Sequence, residues 1–278
     1  MRRRDFVAAG VACVTAPTWA AAAKDSRLVV KGTLEQGSLA LGYAEARAAV
    51  TVDGQKMRLS PDGVFAFGFA YDQTKPSVIA VTWSDGATET QSFTPTVRQY
   101  EIQRVNGLPQ NTVTPPPDVL ARIKKEAENI YLARRRDTVG EDFLSGFDWP
   151  APGIESGVFG SQRIDNGVPM TPHFGVDMAA PTGTPIHAPA AGVVTICDDY
   201  YLDGGFTLID HGQGVSTCYL HQSKRLVAVG DVVKRGQLIG RIGQTGRATG
   251  PHLHWAMNWF EVKLDPSRST RRPKPDPL

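Results

Sequence analysis

Residues 250–257 read Gly250-Pro251-His252-Leu253-His254-Trp255-Ala256-Met257. Glycine and proline at the start oppose a helix, and the apolar residues that follow are typical of a buried β-strand. Side chains two residues apart on a strand point to the same face, so His252 and His254 face one point. The stretch therefore predicts a strand of a β-sheet that presents two imidazoles side by side.

A second stretch, Pro172-His173-Phe174-Gly175-Val176-Asp177, offers two more side chains that bind metals. Its proline and glycine also oppose a helix, and residues four apart in an extended segment share a face, so His173 and Asp177 can converge. His221 follows at the end of a predicted strand, residues 215–220. Two histidines and one carboxylate leave the fourth zinc position for water, which is typical of a catalytic rather than a structural site.

All six histidines of the 278 residues lie between positions 173 and 254. Neutral imidazole is the commonest zinc ligand, so this clustering favours a metal site. His187 and His211 are interpreted as structural: His187 packs or lies at the surface, and His211 sits in a turn where its ring can bond the local backbone. Residues 243–250 lack the GxxxxGK[ST] pattern of a phosphate loop and are read as tight turns before the His252 strand.

These motifs resemble the lysostaphin/LytM-type zinc metallopeptidases over residues 147–266. Further matching segments are Gly157-Val158-Phe159-Gly160, Gly183-Thr184-Pro185, Asp210-His211-Gly212 and Tyr219-Leu220-His221. The resemblance implies a C-terminal antiparallel β-sheet domain that holds one Zn²⁺ per chain through His173, Asp177 and His254. It implies that His221 and His252 are the catalytic pair, and leaves open which of them is the base.

The activity implied by the resemblance is zinc-dependent hydrolysis of the peptide cross-links of bacterial peptidoglycan, as a DD-endopeptidase, by metal-activated water. One alternative is a non-enzymatic peptidoglycan-binding activator of cell-wall amidases, since the family includes members that have lost ligands. Another is a glycyl-glycine endopeptidase, which shares every catalytic residue. The complete ligand set favours an enzyme. The expected partners are peptidoglycan peptide stems and a regulatory protein.

The rest of the chain predicts a mainly β protein. Residues 1–23 carry three arginines before an Ala-rich apolar run, which is typical of a signal peptide and resembles a twin-arginine export signal; the expected location is the periplasm or cell envelope, with no stable membrane span after cleavage. Residues 27–105 alternate short apolar runs with Asp-Gly turns and predict a small antiparallel, Ig-like β-sandwich. Residues 106–146 predict a Pro-rich linker and an amphipathic helix over 118–136 with Asp118 as N-cap. Residues 267–278 predict a disordered tail.

Charge and cysteine content narrow the function further. The net charge is +2, and residues 1–5, with three Arg and one Asp, contribute all of it, so the remainder is neutral. A neutral body lacks the basic face of a nucleic-acid-binding protein.

Cys13 falls in the leader, whereas Cys197 and Cys218 lie in predicted strands. Those two either form a disulfide or are buried thiols.

Overall fold

The computed structural model describes residues 26–275 and is mainly β. The predicted signal peptide, with Cys13, lies outside the described residues. Within residues 26–275, no helix is both long enough and apolar enough to cross a bilayer.

The front of the chain forms two small antiparallel sheets. Their strands are β1 (Val29–Gly32), β2 (Leu39–Tyr43), β3 (Ala49–Val52), β4 (Gln55–Lys56), β5 (Val64–Gly68), β6 (Ser77–Thr82) and β7 (Thr88–Phe93). One sheet has the order β1-β2-β5 and the other β4-β3-β6-β7. In β6 the side chains of Ile79 and Val81 are buried while Val78 and Thr82 face solvent, the alternation expected of a half-buried strand. The predicted antiparallel sheets are confirmed, and the Ig-like arrangement stays a prediction.

A central segment connects this block to the C-terminal part. It contains β8 (Ile102–Val105), α1 (Gln110–Val113), α2 (Pro117–Arg134) and a 3-10 helix (Asp142–Ser145). The predicted helix therefore exists, but Asp118 as its N-cap is wrong. Pro116 occupies the cap position without a side-chain hydrogen bond, and Pro117 is the first helical residue. Proline suits this position because the first helical N–H groups have no acceptor within the helix.

The C-terminal part is built on an eight-stranded sheet. Its elements are β9 (Ile154–Gly157), β10 (Gln162–Asp165), β11 (Val168–Pro169), β12 (Val176–Ala179), β13 (Pro185–His187), β14 (Gly192–Tyr200), β15 (Gly204–Gly212), β16 (Val215–Gln222), β17 (Lys224–Arg225), β18 (Val232–Val233), β19 (Leu238–Arg241), β20 (His252–Trp259), β21 (Val262–Leu264) and a 3-10 helix (Pro266–Ser269). The large sheet has the order β18-β14-β15-β16-β20-β12-β9, and β21 pairs with β20. Every pairing in it is antiparallel, as predicted.

Strand β8 differs from its predicted place in the front block. It pairs in parallel with β10, and β10 pairs with β11, so these three form a sheet beside the large one. The alternation of apolar and polar residues does not identify the partner of a strand. The partner of β8 is β10, which is about 60 residues away in the sequence. The segment that follows the front block thus supports β10, which lies next to the loop that carries His173.

One hydrophobic core spans the front block and the C-terminal part. It joins the fully buried rings of Phe65, Phe67 and Phe69 to Trp255 and Leu264. A side-chain amide adds a polar link: Gln213 Oε1 accepts a hydrogen bond from the Ala66 N–H, and Gln213 Nε2 donates to the Val64 carbonyl. The two predicted parts therefore share their interior.

The C-terminal segment differs from the predicted disorder as far as residue 275. Asp265 caps the 3-10 helix by accepting from the Ser267 N–H, and Arg271 donates two hydrogen bonds from Nη2 to the Asp148 carboxylate at 2.8 and 2.9 Å. Proline and basic residues indicated a solvated tail, but Arg268 pairs with Glu35 and Arg271 with Asp148, both far away in the sequence.

The two described cysteines are free thiols. Cys197 lies opposite Thr207, and Thr207 lies opposite Tyr219, so Cys197 and Tyr219 share a face of the sheet. Cys218, the neighbour of Tyr219, points to the other face. A disulfide between Cys197 and Cys218 is therefore not formed, and the buried-thiol alternative describes Cys218.

Candidate metal centre

Strand pairing places Asp177 and His254 side by side. β12 and β20 are antiparallel neighbours, and Asp177 lies directly opposite His254. Directly opposite residues share a face, so both side chains project on one side of the sheet. Met178 and Leu253, the next pair, project on the other side and are fully buried in the core. The apolar residues between the polar ones thus fix the register that brings the two ligand candidates together.

His173 reaches the same point from the loop before β12. Backbone hydrogen bonds to Ser161 and Gly160 hold its peptide groups. Its ring nitrogen Nδ1 lies 3.1 Å from the Val158 carbonyl, to which it donates, so Nε2 is the ring nitrogen left for a metal. That Nε2 lies 3.0 Å from Asp177 Oδ1 and 2.9 Å from His254 Nδ1.

The three predicted ligands therefore converge on one point. His254 Nδ1 and Asp177 Oδ1 are 2.9 Å apart, and all ligand atoms of the set lie within 4.8 Å of one another. Burial, ahead of other effects, lowers the pKa of His254 to about 4, so its imidazole is neutral and can bind a metal. Burial alone would raise the pKa of Asp177, but His173 and His254 hold it well below its usual value. A buried carboxylate facing the imidazoles of His173 and His254 fits a divalent cation, which would compensate the charge.

Two further residues shape this centre, and sequence reasoning missed their roles. Arg163 on β10 donates from Nη2 to Asp177 Oδ2, which leaves Oδ1 for the metal point. Gly157 on β9 lies opposite Asp177, and a Cβ there would overlap the Asp177 carboxylate and lie 2.9 Å from Arg163 Nη2. Gly157 lay in a matching segment of the resemblance, whereas no spacing signal marked Arg163. Such contacts orient a ligand carboxylate and tune a metal.

His221 and His252 face each other beside the three ligands, with ring centroids 4.7 Å apart. Leu220 lies opposite His254, so regular alternation would turn His221 to the far face. Instead His221 has φ of 63°, a left-handed conformation that costs energy for a residue other than glycine and breaks the alternation. This backbone strain places the His221 ring on the side of the metal ligands.

Both of these rings have one nitrogen engaged and one free. His221 Nδ1 donates to the Thr245 carbonyl at 2.8 Å, and His252 Nδ1 donates to the Gly250 carbonyl at 2.9 Å. The two Nε2 atoms are thus the ring nitrogens without a backbone partner, and that of His252 lies 3.8 Å from Asp177 Oδ1. Burial first, and then the neighbouring His252, lower the pKa of His221 to about 3, so its ring is neutral. Neutral imidazoles next to a ligand set can accept a proton or share one in a hydrogen bond.

The remaining two histidines lie away from this centre. His211 is buried, donates from Nδ1 to the Ala191 carbonyl and contacts Thr217 Oγ1 at 2.7 Å through Nε2. The sequence had indicated a backbone partner within the turn of His211, but the partner lies just before β14. His187 is half-buried on β13, in a separate three-stranded sheet. Both positions fit the structural interpretation.

Comparisons with known proteins point to one family. Residues 171–266 match the profile of Peptidase family M23. Peptidoglycan DD-endopeptidase ShyA of Vibrio cholerae is 47% identical over 88 residues, which are 32% of this chain and 20% of ShyA. DD-carboxypeptidase/endopeptidase Mpg of Neisseria meningitidis is 47% identical over 83 residues, which are 30% of this chain and 19% of Mpg. The chain thus matches about a fifth of the length of these curated relatives.

A solved structure extends the likeness beyond the matched segment. It is a crystal structure of a Pseudomonas aeruginosa protein assigned to peptidase M23, 28% identical, with a TM-score of 0.67. The superposition covers 85% of this chain and 95% of that chain. Most of the fold described here is therefore shared with a known protein.

Proposed function

We propose, from the premise that residues 171–266 form a domain of Peptidase family M23, that this chain is a zinc-dependent DD-endopeptidase that hydrolyses peptide cross-links of bacterial peptidoglycan. The observation that carries the proposal is the convergence of His173, Asp177 and His254 beside two imidazoles with free Nε2 atoms. The names of ShyA and Mpg support the substrate class. That substrate and the twin-arginine-like leader support action in the periplasm or cell envelope.

The proposed metal is zinc, held by His173 Nε2, Asp177 Oδ1 and His254 Nδ1. Two histidines and a carboxylate are a common catalytic zinc set. When bound, the ion supplies Lewis acidity that activates water and polarises the scissile carbonyl. The ion pair from Arg163 fixes the Asp177 carboxylate, so that one oxygen stays on the metal point.

The proposed roles of His221 and His252 follow from their free Nε2 atoms. One accepts the proton of the attacking water at Nε2 as general base, and the other acts in its protonated form, in which Nε2–H donates to the carbonyl oxygen as negative charge develops or passes its proton to the leaving amine. Carbonyl acceptors at Thr245 and Gly250 hold the tautomers in which Nε2 can do this. Burial of His221 lowers the pKa of its imidazole, so this ring is neutral near pH 7.

The test is mass spectrometry of purified cross-linked muropeptides incubated with the zinc-loaded mature protein, with EDTA as a control. We expect cleavage at the cross-link that stops when the metal is removed. Intact cross-links with a zinc-loaded, folded protein would refute the enzyme and favour the amidase-activator alternative. Cleavage of pentaglycine bridges in preference to muropeptides would favour the glycyl-glycine endopeptidase instead.

Point variants separate the metal ligands from the catalytic pair. His254→Ala should lose zinc and activity together, because one of three ligands is gone. His221→Ala and His252→Ala should keep zinc while turnover falls by about a hundredfold to ten-thousandfold. His187→Ala, outside the centre, is the matched control and should keep both. Loss of zinc in the His221→Ala or His252→Ala protein would mean that ligand and catalyst have been exchanged.

A further inference from the structure

A cavity of about 280 Å³ opens beside the metal centre, between α2 and the sheet face that carries the ligands. Its near wall contains His173, His221 and His254, and its far wall contains Ile130 and Arg134 from α2. The volume is close to the lower end of the range for small-molecule sites. The cavity is therefore large enough to hold one side group of a peptide whose reacting bond lies on the metal.

Besides Arg163, which pairs with Asp177, three cationic side chains line this cavity from three different elements. Arg134 ends α2, Arg247 lies in the loop before β20, and Lys263 lies in β21. Lys263 pairs with Asn258, which lies on the same strand face as Ala256 and His254, so the lysine continues the face of the ligands. The three cations thus line one cavity that only the folded chain creates.

These cations have little compensation within the protein. In residues 26–275, none of the three forms an ion pair with a carboxylate within 4.0 Å. The Nε of Arg134 is buried and has no hydrogen-bond partner, and its Nη2 reaches only the weak acceptor Cys218 Sγ at 3.5 Å. Burial, together with the nearby Arg134, lowers the pKa of Lys263 to about 8. Half-buried cations without partners are costly unless an anion joins them.

Two carboxylates also line the cavity, and their placement matters for the charge balance. The charges of all three cations act on Asp203: burial raises the pKa of its carboxyl, while Arg134 and Arg247, and less strongly Lys263, oppose that rise. Asp165 lies on β10 beside Arg163, whose charge is already paired with Asp177. Three cations against these two carboxylates leave a net charge of +1 in the cavity, before any metal is counted. The cavity accordingly favours an anionic group.

The backbone ties this cationic cluster to the catalytic pair. The Asp203 carbonyl accepts a hydrogen bond from the His221 N–H at 2.9 Å, and the Leu202 carbonyl accepts from the Arg247 N–H at 2.7 Å. One turn, residues 201–204, thus connects the His221 backbone to the Arg247 loop. A group held by Arg247 would therefore be held at a fixed position relative to His221.

We propose that this cavity is a subsite for a free carboxylate of the substrate peptide, next to the scissile bond, with Arg247 and Lys263 as its binding residues and Arg134 closing it from α2. The inference rests on the proposed function, because it places the anion on the peptide that is cleaved. Wall peptides joined through a diamino acid carry such carboxylates near their cross-link. A carboxylate accepts hydrogen bonds from guanidinium and ammonium groups through two charged oxygens, whereas its neutral carboxamide offers one uncharged oxygen and accepts weaker ones.

The experiment compares two cross-linked peptides that differ only in a carboxylate or its carboxamide next to the cleaved bond. We expect the zinc-loaded wild-type protein to favour the carboxylate in kcat/KM by about tenfold to a hundredfold, the range for a hydrogen bond to a charged group. Arg247→Gln and Lys263→Gln should each bring this ratio toward one. Lys234→Gln, an exposed lysine in a distant turn, is the matched control and should leave the ratio unchanged.

Each outcome separates this inference from the proposed function. A wild-type protein that cleaves both peptides equally well, or Arg247→Gln and Lys263→Gln variants that keep the wild-type ratio, would overturn the carboxylate subsite and leave the endopeptidase intact. Failure of the zinc-loaded wild-type protein to cleave either peptide would overturn the proposed function and the subsite with it. Zinc content and cleavage of the carboxamide identify folded variants, and either of the two substitutions suffices for the test.

Discussion

Gly157 has no room for a side chain, because the Asp177 carboxylate and Arg163 Nη2 fill the space where a Cβ would stand. We expect Gly157→Ala to push the carboxylate away from the metal point or to break its ion pair with Arg163. Loss of such a supporting contact typically lowers metal affinity by about tenfold to a hundredfold. Competition with a chelating zinc indicator would measure the dissociation constant.

Gly250→Ala is the matched control for this prediction. Gly250 also lies close to the centre, but a Cβ there meets nothing within 4 Å and its φ is not positive. The Gly250→Ala protein should therefore bind zinc as the wild type does. Equal zinc affinity of the Gly157→Ala and Gly250→Ala proteins would show that the Asp177 carboxylate tolerates displacement.

At the residue scale, the sequence predicted which side chains converge but not what holds them. The shared face of His252 and His254 could be predicted because strand alternation is a strictly local rule. The convergence of His173 and Asp177 could be predicted from their spacing of four residues. Arg163 was not readable, since its ion pair depends on β10 lying beside β12 and β9 in space. The position of the His221 ring depends on a left-handed residue, which alternation cannot anticipate.

At the level of strands, a buried polar network links β15 to β16. The Tyr219 hydroxyl and Thr217 Oγ1 are 2.7 Å apart, and Thr217 in turn contacts His211 Nε2. His211 Nδ1 donates to the Ala191 carbonyl. His211 Nε2 can therefore accept from the Thr217 hydroxyl only when the ring is neutral, and Thr217 Oγ1 then accepts from the Tyr219 hydroxyl. Burial is the main reason why the pKa of His211 falls to about 4.

This network predicts a pH dependence of stability. The folded-state pKa of His211 lies below the unfolded value near 6.5, so the unfolded state binds the proton more readily. Its contribution is therefore complete above pH 6.5 and is lost as the pH falls toward 4, by about 3 kcal/mol in all. Urea unfolding between pH 7.5 and 5 should show the decline, and ¹⁵N NMR should show a His211 ring that stays neutral over that range. A His211 ring that titrates near pH 6.5 in the folded protein would contradict this.

At the level of elements, sequence periodicity predicted the type and approximate bounds of helices and strands. The partner of each strand, by contrast, is known only from the structure. The helix predicted over 118–136 is α2, Pro117–Arg134, because its apolar spacing of three and four is local information. The partner of β8 and the opposite faces of Cys197 and Cys218 were not predictable, since both depend on strand order. The same limit applies to the ordered segment after Pro266, whose arginine pairs with Asp148.

At the scale of the whole molecule, the continuous core argues against independent folding of the front block and the C-terminal part. Independent domains have separate cores, whereas here Phe67 and Trp255 belong to the same buried cluster. Gly68 on β5 faces Leu264 and Trp259 so closely that a Cβ would lie 2.8 Å from the leucine side chain. The boundaries predicted from the sequence, near residues 105 and 147, therefore separate two parts that share one hydrophobic core.

This shared interior predicts that the zinc-loaded protein unfolds in one cooperative transition, with equal calorimetric and van't Hoff enthalpies in differential scanning calorimetry. Gln213→Asn removes the reach of the amide to Val64 and Ala66 but keeps a residue that tolerates φ of 49°. It should lower the midpoint of the entire transition by a few degrees, as expected for a loss of about 1 to 3 kcal/mol. Gln55→Asn, on an exposed strand, should leave the midpoint unchanged. Two resolved transitions, of which Gln213→Asn shifts only one, would mean that the front block unfolds separately and that the contacts of Gln213 do not couple it to the catalytic sheet.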